Sequence, residues 1–257
     1  MLIENADYPH IPGKMITLMK LFFIRYTKLL FIWLQLHRVF GWMGNFFANM
    51  YYLTLFSKWA YQNRKVACND FPCKWDYQRR LKMYEWVIER EGLNQEPINY
   101  LEFGVAWGES FQWWLQKNNH PQSSFYGFDT FDGLPEDWGP FKKGAFSSNQ
   151  ALPDIGSDTR GCFLKGLFQQ TIPGFVQQLD NTRRNVLMMD ADLFSATLYA
   201  LTALAPYLKK GDIIFFDEFV VPTHEFKAYQ DFIQSYYCSL QLIAAANNYY
   251  FVAFKVQ

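Results

Sequence analysis

The stretch Asn99-Tyr-Leu-Glu-Phe-Gly-Val-Ala-Trp-Gly-Glu-Ser110 decides the fold. Its first half is an apolar run of strand length, and Gly104 opens a turn that leads into a helical pattern over residues 110–117. Two later segments repeat the form: Asn185-Val-Leu-Met-Met runs into Asp190-Ala-Asp192, and Asp212-Ile-Ile-Phe-Phe runs into Asp217-Glu218. Short apolar strands separated by helical patterns are expected to pair in parallel, which brings the acids together at the strands' carboxyl ends. That edge is where open α/β sheets bind ligands.

The alternation continues from residue 75 to the end of the sequence. A helix over 75–91 ends at Gly92, and Ile98–Phe103 is the first strand. Strands follow over 124–128, ending at Asp129, and over 161–165, 186–189 and 212–216; helices fall over 171–179, 195–208 and 224–237. Two last strand candidates, 240–244 and 249–255, flank Asn247-Asn248 as an antiparallel edge hairpin. The expected architecture is α/β: a seven-stranded, Rossmann-like, mostly parallel sheet over 75–257, with a helical appendage over 1–74. Residues 133–161, rich in glycine and proline, are too long for an ordinary connection and are expected to be functional.

With 257 residues, half of them hydrophobic and 19% charged, the chain is neither disordered nor a multispan membrane protein. Its zero net charge hides an asymmetry. Residues 1–80 carry eleven Lys and Arg against four Asp and Glu, and residues 81–257 thirteen against twenty. A net-negative second part repels phosphate, which argues against nucleic acid. The four cysteines are expected to be reduced, and no signal peptide with a small-residue cleavage site opens the sequence, so the expected address is cytoplasmic. Between Asp7 and Asp70 there is no acidic residue. Along residues 14–38 the basic and polar side chains, from Lys14 through Lys20, Arg25 and Lys28 to Arg38, fall on one arc of roughly 160° with an apolar and aromatic remainder. Gly41 and Gly44 mark a break before a second helix over 46–62. The first helix is expected to meet a second subunit, the catalytic domain, or an anionic membrane surface on which it lies in plane.

The glycine turn after the first strand lets backbone approach a ligand and presents helix amides to it. Gly104 and Gly108 are spaced G-x-x-x-G, not the three-glycine pattern of a nicotinamide site, and Glu102 precedes them. This suits S-adenosylmethionine, which has no pyrophosphate to cradle but carries an amino acid moiety and a sulfonium. Asp129 stands where a carboxylate accepts ribose hydroxyls. Asp190, Asp217 and Glu218 at one edge repel one another unless a cation balances them, and an oxygen-only set suits Mg²⁺.

Five ordered stretches carry a resemblance to the macrocin O-methyltransferase (TylF-like) family of class I S-adenosylmethionine-dependent methyltransferases. They are Leu101-Glu-Phe-Gly-Val-Ala-Trp-Gly-Glu-Ser110, Tyr126-Gly-Phe-Asp-Thr-Phe-Asp-Gly-Leu-Pro-Glu-Asp-Trp138, Lys165-Gly-Leu-Phe-Gln-Gln-Thr-Ile-Pro173, Met189-Asp-Ala-Asp-Leu-Phe-Ser-Ala-Thr197 and Phe216-Asp-Glu-Phe219. The resemblance implies that Glu102, Gly104, Ser110 and Asp129 hold the cofactor, with Phe103, Val105, Gly108 and Thr130 beside them and Gly166 and Leu167 near the adenine. It implies Mg²⁺ on Asp190, Asp217 and Glu218, and Asp192 as general base for a hydroxyl on a sugar-bearing or polyol acceptor. It also implies a homo-oligomer. The chain departs from the family in having Asp217-Glu218 for the usual Asp-Asp and Leu193-Phe194 for the commoner Leu-Tyr. The alternative reading is a membrane-peripheral S-adenosylmethionine-binding protein without metal-dependent turnover.

Overall fold

The computed structural model describes residues 14–72 and 74–257; Asp7, Cys73 and the side chain of Lys14 lie outside the described set. The chain divides into two compact units, residues 1–50 and 51–257. In the second, eight strands form one sheet: β1 (Cys68–Asn69), β2 (Ile98–Phe103), β3 (Ser124–Asp129), β4 (Gly161–Lys165), β5 (Arg184–Met189), β6 (Ile213–Phe216), β7 (Leu240–Ala246) and β8 (Phe251–Val256), in the order β1-β7-β8-β6-β5-β2-β3-β4. All pairs are parallel except β6–β8 and β7–β8. Every residue of β2 is buried, as a central strand covered on both faces requires. Helices α3 (Arg79–Glu91) and α4 (Glu109–Lys117) pack on one face, and α5 (Phe168–Phe175), α6 (Phe194–Leu204) and α7 (Glu225–Tyr236) on the other. Gly92 ends α3 in the left-handed conformation, the expected use of a glycine after a helix.

The register positions the site. Phe103 pairs with Phe128 on one side and Met189 on the other, and Met189 pairs with Phe216. The ends of four adjacent strands are therefore level, and the residues that follow them meet at one edge.

Two expectations are corrected. The sheet has eight strands, because Cys68 and Asn69 add a short strand beside β7 from a segment that reads as linker. The C-terminal hairpin β7–β8 forms the antiparallel end of the sheet as expected, with β8 between β6 and β7 and the two-residue β1 beside β7. In the first unit, α1 (Lys14–Trp33) ends before a turn in which Gln35 takes a positive φ of 49°, and α2 (His37–Gln62) runs through Gly41 and Gly44. One interior glycine costs about 1 kcal/mol, less than stopping a helix and nucleating another. Gln35 and Arg38 thus do not share a helix with Lys20, Arg25 and Lys28.

The second unit begins at Tyr51 and not at residue 75, because the last turns of α2 bring Phe56 and Trp59 into its core. Trp59 lies 4.9 Å from the Phe219 ring and 5.5 Å from Tyr249, and is buried. Trp59→Ala is expected to lower unfolding stability by about 3–5 kcal/mol in denaturant titration; a loss below about 1 kcal/mol would separate α2 from the core.

Candidate active site

The carboxyl ends of β2, β3, β5 and β6 floor a cavity of about 720 Å³. Gly104, at φ +93°, lets the first turn pass directly against the loop after β5: a Cβ there would stand 1.8 Å from the Asp190 carbonyl oxygen. Gly108, at φ +80°, gives similar room beside Pro153, 2.5 Å from where its Cβ would stand. Asp129 holds the turn in shape. Its Oδ2 accepts from the amides of Val105 (2.7 Å) and Ala106 (2.8 Å), and its Oδ1 from Phe131 (2.7 Å).

Of the residues expected to hold a cofactor, Glu102, Gly104, Val105, Gly108, Ser110, Asp129, Thr130, Gly166 and Leu167 all line this cavity. Phe103 does not. Its ring is buried beneath the turn, stacked 4.7 Å from Phe128, because alternate residues of a strand face opposite sides and this one faces the core. Residues 130–160 raise a wall over the cavity in which Leu134 and Trp138 pack with Leu193, and Glu136 Oε1 accepts from the Ser195 hydroxyl at 2.9 Å. Trp107, 62% exposed, stands at the rim.

The acids share the cavity on unequal terms. Burial first, then repulsion by Asp217 and Asp192, raises the Asp190 carboxyl well above its ordinary range. Asp192, in a left-handed backbone conformation at φ 59°, is pushed up to about 8 by burial and by Glu218 and Asp217. Burial takes Glu218 to about 7, while its Oε1 accepts from the Tyr250 hydroxyl at 2.8 Å and its Oε2 is buried without a partner. Asp217 is closed off. Its Oδ1 accepts from Tyr84 (3.2 Å) and lies 3.5 Å from the Arg80 guanidinium, and its Oδ2 accepts from Tyr77 (3.2 Å).

Asp190, Asp217 and Glu218 do reach one cavity, but Asp217 already accepts from two hydroxyls and lies beside the Arg80 guanidinium. Among the described residues no group of three His, Cys, Asp or Glu side chains is gathered around a point that would hold a metal ion. The arrangement does not fit Mg²⁺ on these three carboxylates.

Sequence reading missed Tyr77, Arg80, Tyr84, Tyr250 and Glu225, the last fully buried with Oε2 accepting from the Glu218 amide at 3.0 Å. One signal was available: Arg80 falls on the apolar stripe of α3 with Met83, Tyr84 and Val87, where a lone charge needs a buried partner.

Burial also pushes Glu102 up to about 8 from its ordinary 4.5, against the hydrogen bond from Tyr100 and the charge of Arg80. The folded state therefore holds this proton more tightly than the unfolded chain, so stability is full below about pH 4.5 and falls as pH rises through 8. Glu102→Gln removes that loss. Its unfolding free energy, from denaturant titration, is expected to exceed the wild-type value by a margin that widens from pH 5 to pH 9, on the order of a few kcal/mol at the upper end; a constant difference would show Glu102 to be ionised in the fold.

Comparison with known proteins agrees with this geometry. A family model described as "Methyltransferase domain" matches residues 101–219, from the middle of β2 to just beyond β6. Among solved structures, CalS11, a calicheamicin methyltransferase, is similar at 21% identity and a TM-score of 0.56, with 70% of this chain and 80% of that one covered. The O-methyltransferase NovP is similar at 21% identity and 0.56, covering 69% and 79%. No curated protein matches. With a glycine turn, an acid-lined cavity and this topology on one sheet edge, residues 101–219 match a methyltransferase-domain model, and the chain shares the fold of CalS11 and NovP.

Proposed function

We propose that the chain transfers a methyl group from S-adenosylmethionine to a hydroxyl of a sugar-bearing or polyol acceptor. The observation that carries this is Asp192, a carboxylate that lines the same cavity as the aromatic side chains of Trp138 and Phe146. A base of this kind serves a hydroxyl, whose proton must leave as the oxygen is alkylated. Broad ring faces beside a polar floor suit a sugar, which has apolar C–H faces and polar edges. CalS11, a calicheamicin methyltransferase, and the O-methyltransferase NovP support the reading as proteins of the same fold.

The cofactor would rest on Glu102, Gly104, Ser110, Gly166 and Leu167, on the turn that Asp129 holds in shape, and it supplies an electrophilic methyl group on a sulfonium. The chain's own work is to seat the acceptor, exclude water under the 130–160 wall, and accept the hydroxyl proton on Asp192. No part of this is assigned to Mg²⁺. The test is transfer of labelled methyl from S-adenosylmethionine to a panel of glycosides and polyols with matched deoxy analogues. Label on a hydroxyl acceptor and none on its deoxy partner is expected; transfer to amines alone would replace the reading.

The first unit has its own proposed partner, an anionic membrane surface or a lipid-linked acceptor. Phe22, Phe23, Ile32, Trp33 and Trp42 are exposed, as are Lys20, Arg25 and Lys28 among them, and no helix of the described residues is long and apolar enough to cross a membrane. Exposed aromatics with basic neighbours and no acid suit the headgroup layer. Each basic side chain contributes about 1 kcal/mol near an anionic surface. Replacing Lys20, Arg25 and Lys28 by Gln is therefore expected to reduce cosedimentation with phosphatidylserine vesicles by about 100-fold, and raised salt to do the same. A wild-type protein that ignores such vesicles and loses an oligomer on deletion of residues 1–50 would assign the helix to a second copy of the chain.

A further inference from the structure

We propose that the Arg80 guanidinium is the resident cation of the acidic cavity floor, in the place where a divalent metal would otherwise be needed, and that methyl transfer by this chain requires no metal ion. Glu102, Asp190, Asp192, Asp217 and Glu218 line the cavity, and Arg80 is the one Lys, Arg or His to do so among the described residues. It is 3% exposed, with its two terminal nitrogens partnered and its Nε buried without a partner. Nη1 lies 3.5 Å from Asp217 Oδ1 and donates to the Tyr77 hydroxyl; Nη2 lies 3.2 Å from Glu109 Oε2; the guanidinium carbon stands 3.8 Å over the Tyr77 ring. Tyr77 and Tyr84 complete the clasp by donating to the two oxygens of Asp217.

Two opposing requirements lead to this assignment. Several carboxylates in one desolvated site repel one another and need a positive charge. A carboxylate whose oxygens already accept from two hydroxyls and lie beside a guanidinium is held in place away from a metal, and an ion bound beside Arg80 would meet a like charge at short range. A planar guanidinium anchored on α3 meets the first requirement and produces the second. Asp217 is then a positioning residue, which orients Arg80, and not a metal ligand. The inference rests on the methyl-transfer reading only for its consequence in turnover; the site itself is tested without it.

The experiment is a titration with Mn²⁺ followed by electron paramagnetic resonance, in which the free ion's signal counts what remains unbound. Wild type and Arg80→Lys, which keep the charge, are expected to take up no stoichiometric Mn²⁺ at micromolar concentrations. Arg80→Met, which uncovers the carboxylates, is expected to bind one ion per chain and to gain thermal stability on adding it. A purely structural arginine would lower stability without creating a metal site. A wild-type chain that binds one Mn²⁺ overturns the proposal, as does a folded Arg80→Met that binds none; if that variant does not fold, the wild-type titration decides. Failure of S-adenosylmethionine to bind would remove the methyl-transfer reading but leave the Mn²⁺ result standing.

Discussion

Replacing Asp192 by Asn is expected to cut kcat by about 10²- to 10⁴-fold with S-adenosylmethionine affinity unchanged. The substitution keeps the size and much of the polarity of the side chain and removes only its ability to accept a proton. Asp192 sits in a left-handed conformation that aspartate tolerates better than most residues, so the amide fits the same backbone. Its carboxyl is raised to about 8 by burial and by Glu218 and Asp217. A base must be deprotonated to act, so wild-type kcat should climb with pH through about 8, and the Asn variant should lose that limb. The check is a pH profile of both proteins under saturating cofactor. Equal kcat in the two would assign the proton to another group.

Gly104→Ala is expected to abolish cofactor binding and to destabilise the fold by roughly 4 kcal/mol or more, at the upper end for a single substitution. Two effects add. At φ +93° an L side chain is strained in any surroundings, and the new methyl would stand 1.8 Å from the Asp190 carbonyl oxygen. Neither side can yield cheaply, since the Asp190 amide is itself tied to the Phe103 carbonyl at 2.9 Å and the turn to Asp129. Thermal melts and isothermal titration with S-adenosylmethionine measure both effects. A variant that melts and binds as wild type would show that the two loops are not packed as described.

The central strands were legible because parallel, doubly covered strands write themselves as apolar runs: Ile98–Phe103 begins and ends where the sequence places it, and the strands at 186–189 and 212–216 end at Met189 and Phe216 as read. Gly104 and the acids after β5 and β6 were legible for the same reason, since each follows a strand end and the register levels those ends. What was hidden is nonlocal. Cys68 and Asn69 become a strand only because β7 offers an edge, and no periodicity exists in two residues. Trp59 looks like any aromatic of an aromatic-rich helix until Phe219, Phe226 and Tyr249 surround it. The fate of Asp217 was hidden too, because its partners Tyr77, Arg80 and Tyr84 lie more than 130 positions away. A strand-end acid reads as a metal ligand when its neighbours are out of view.

The central claim is that the carboxyl edge of β2, β3 and β5 is an S-adenosylmethionine site. Isothermal titration of the full chain with S-adenosylmethionine, and separately with NAD, tests it most directly. The account predicts saturable binding of one S-adenosylmethionine per chain, lost in Gly104→Ala and retained in Asp192→Asn, with no heat from NAD. Binding of NAD without S-adenosylmethionine, or S-adenosylmethionine binding that Gly104→Ala leaves intact, would contradict it.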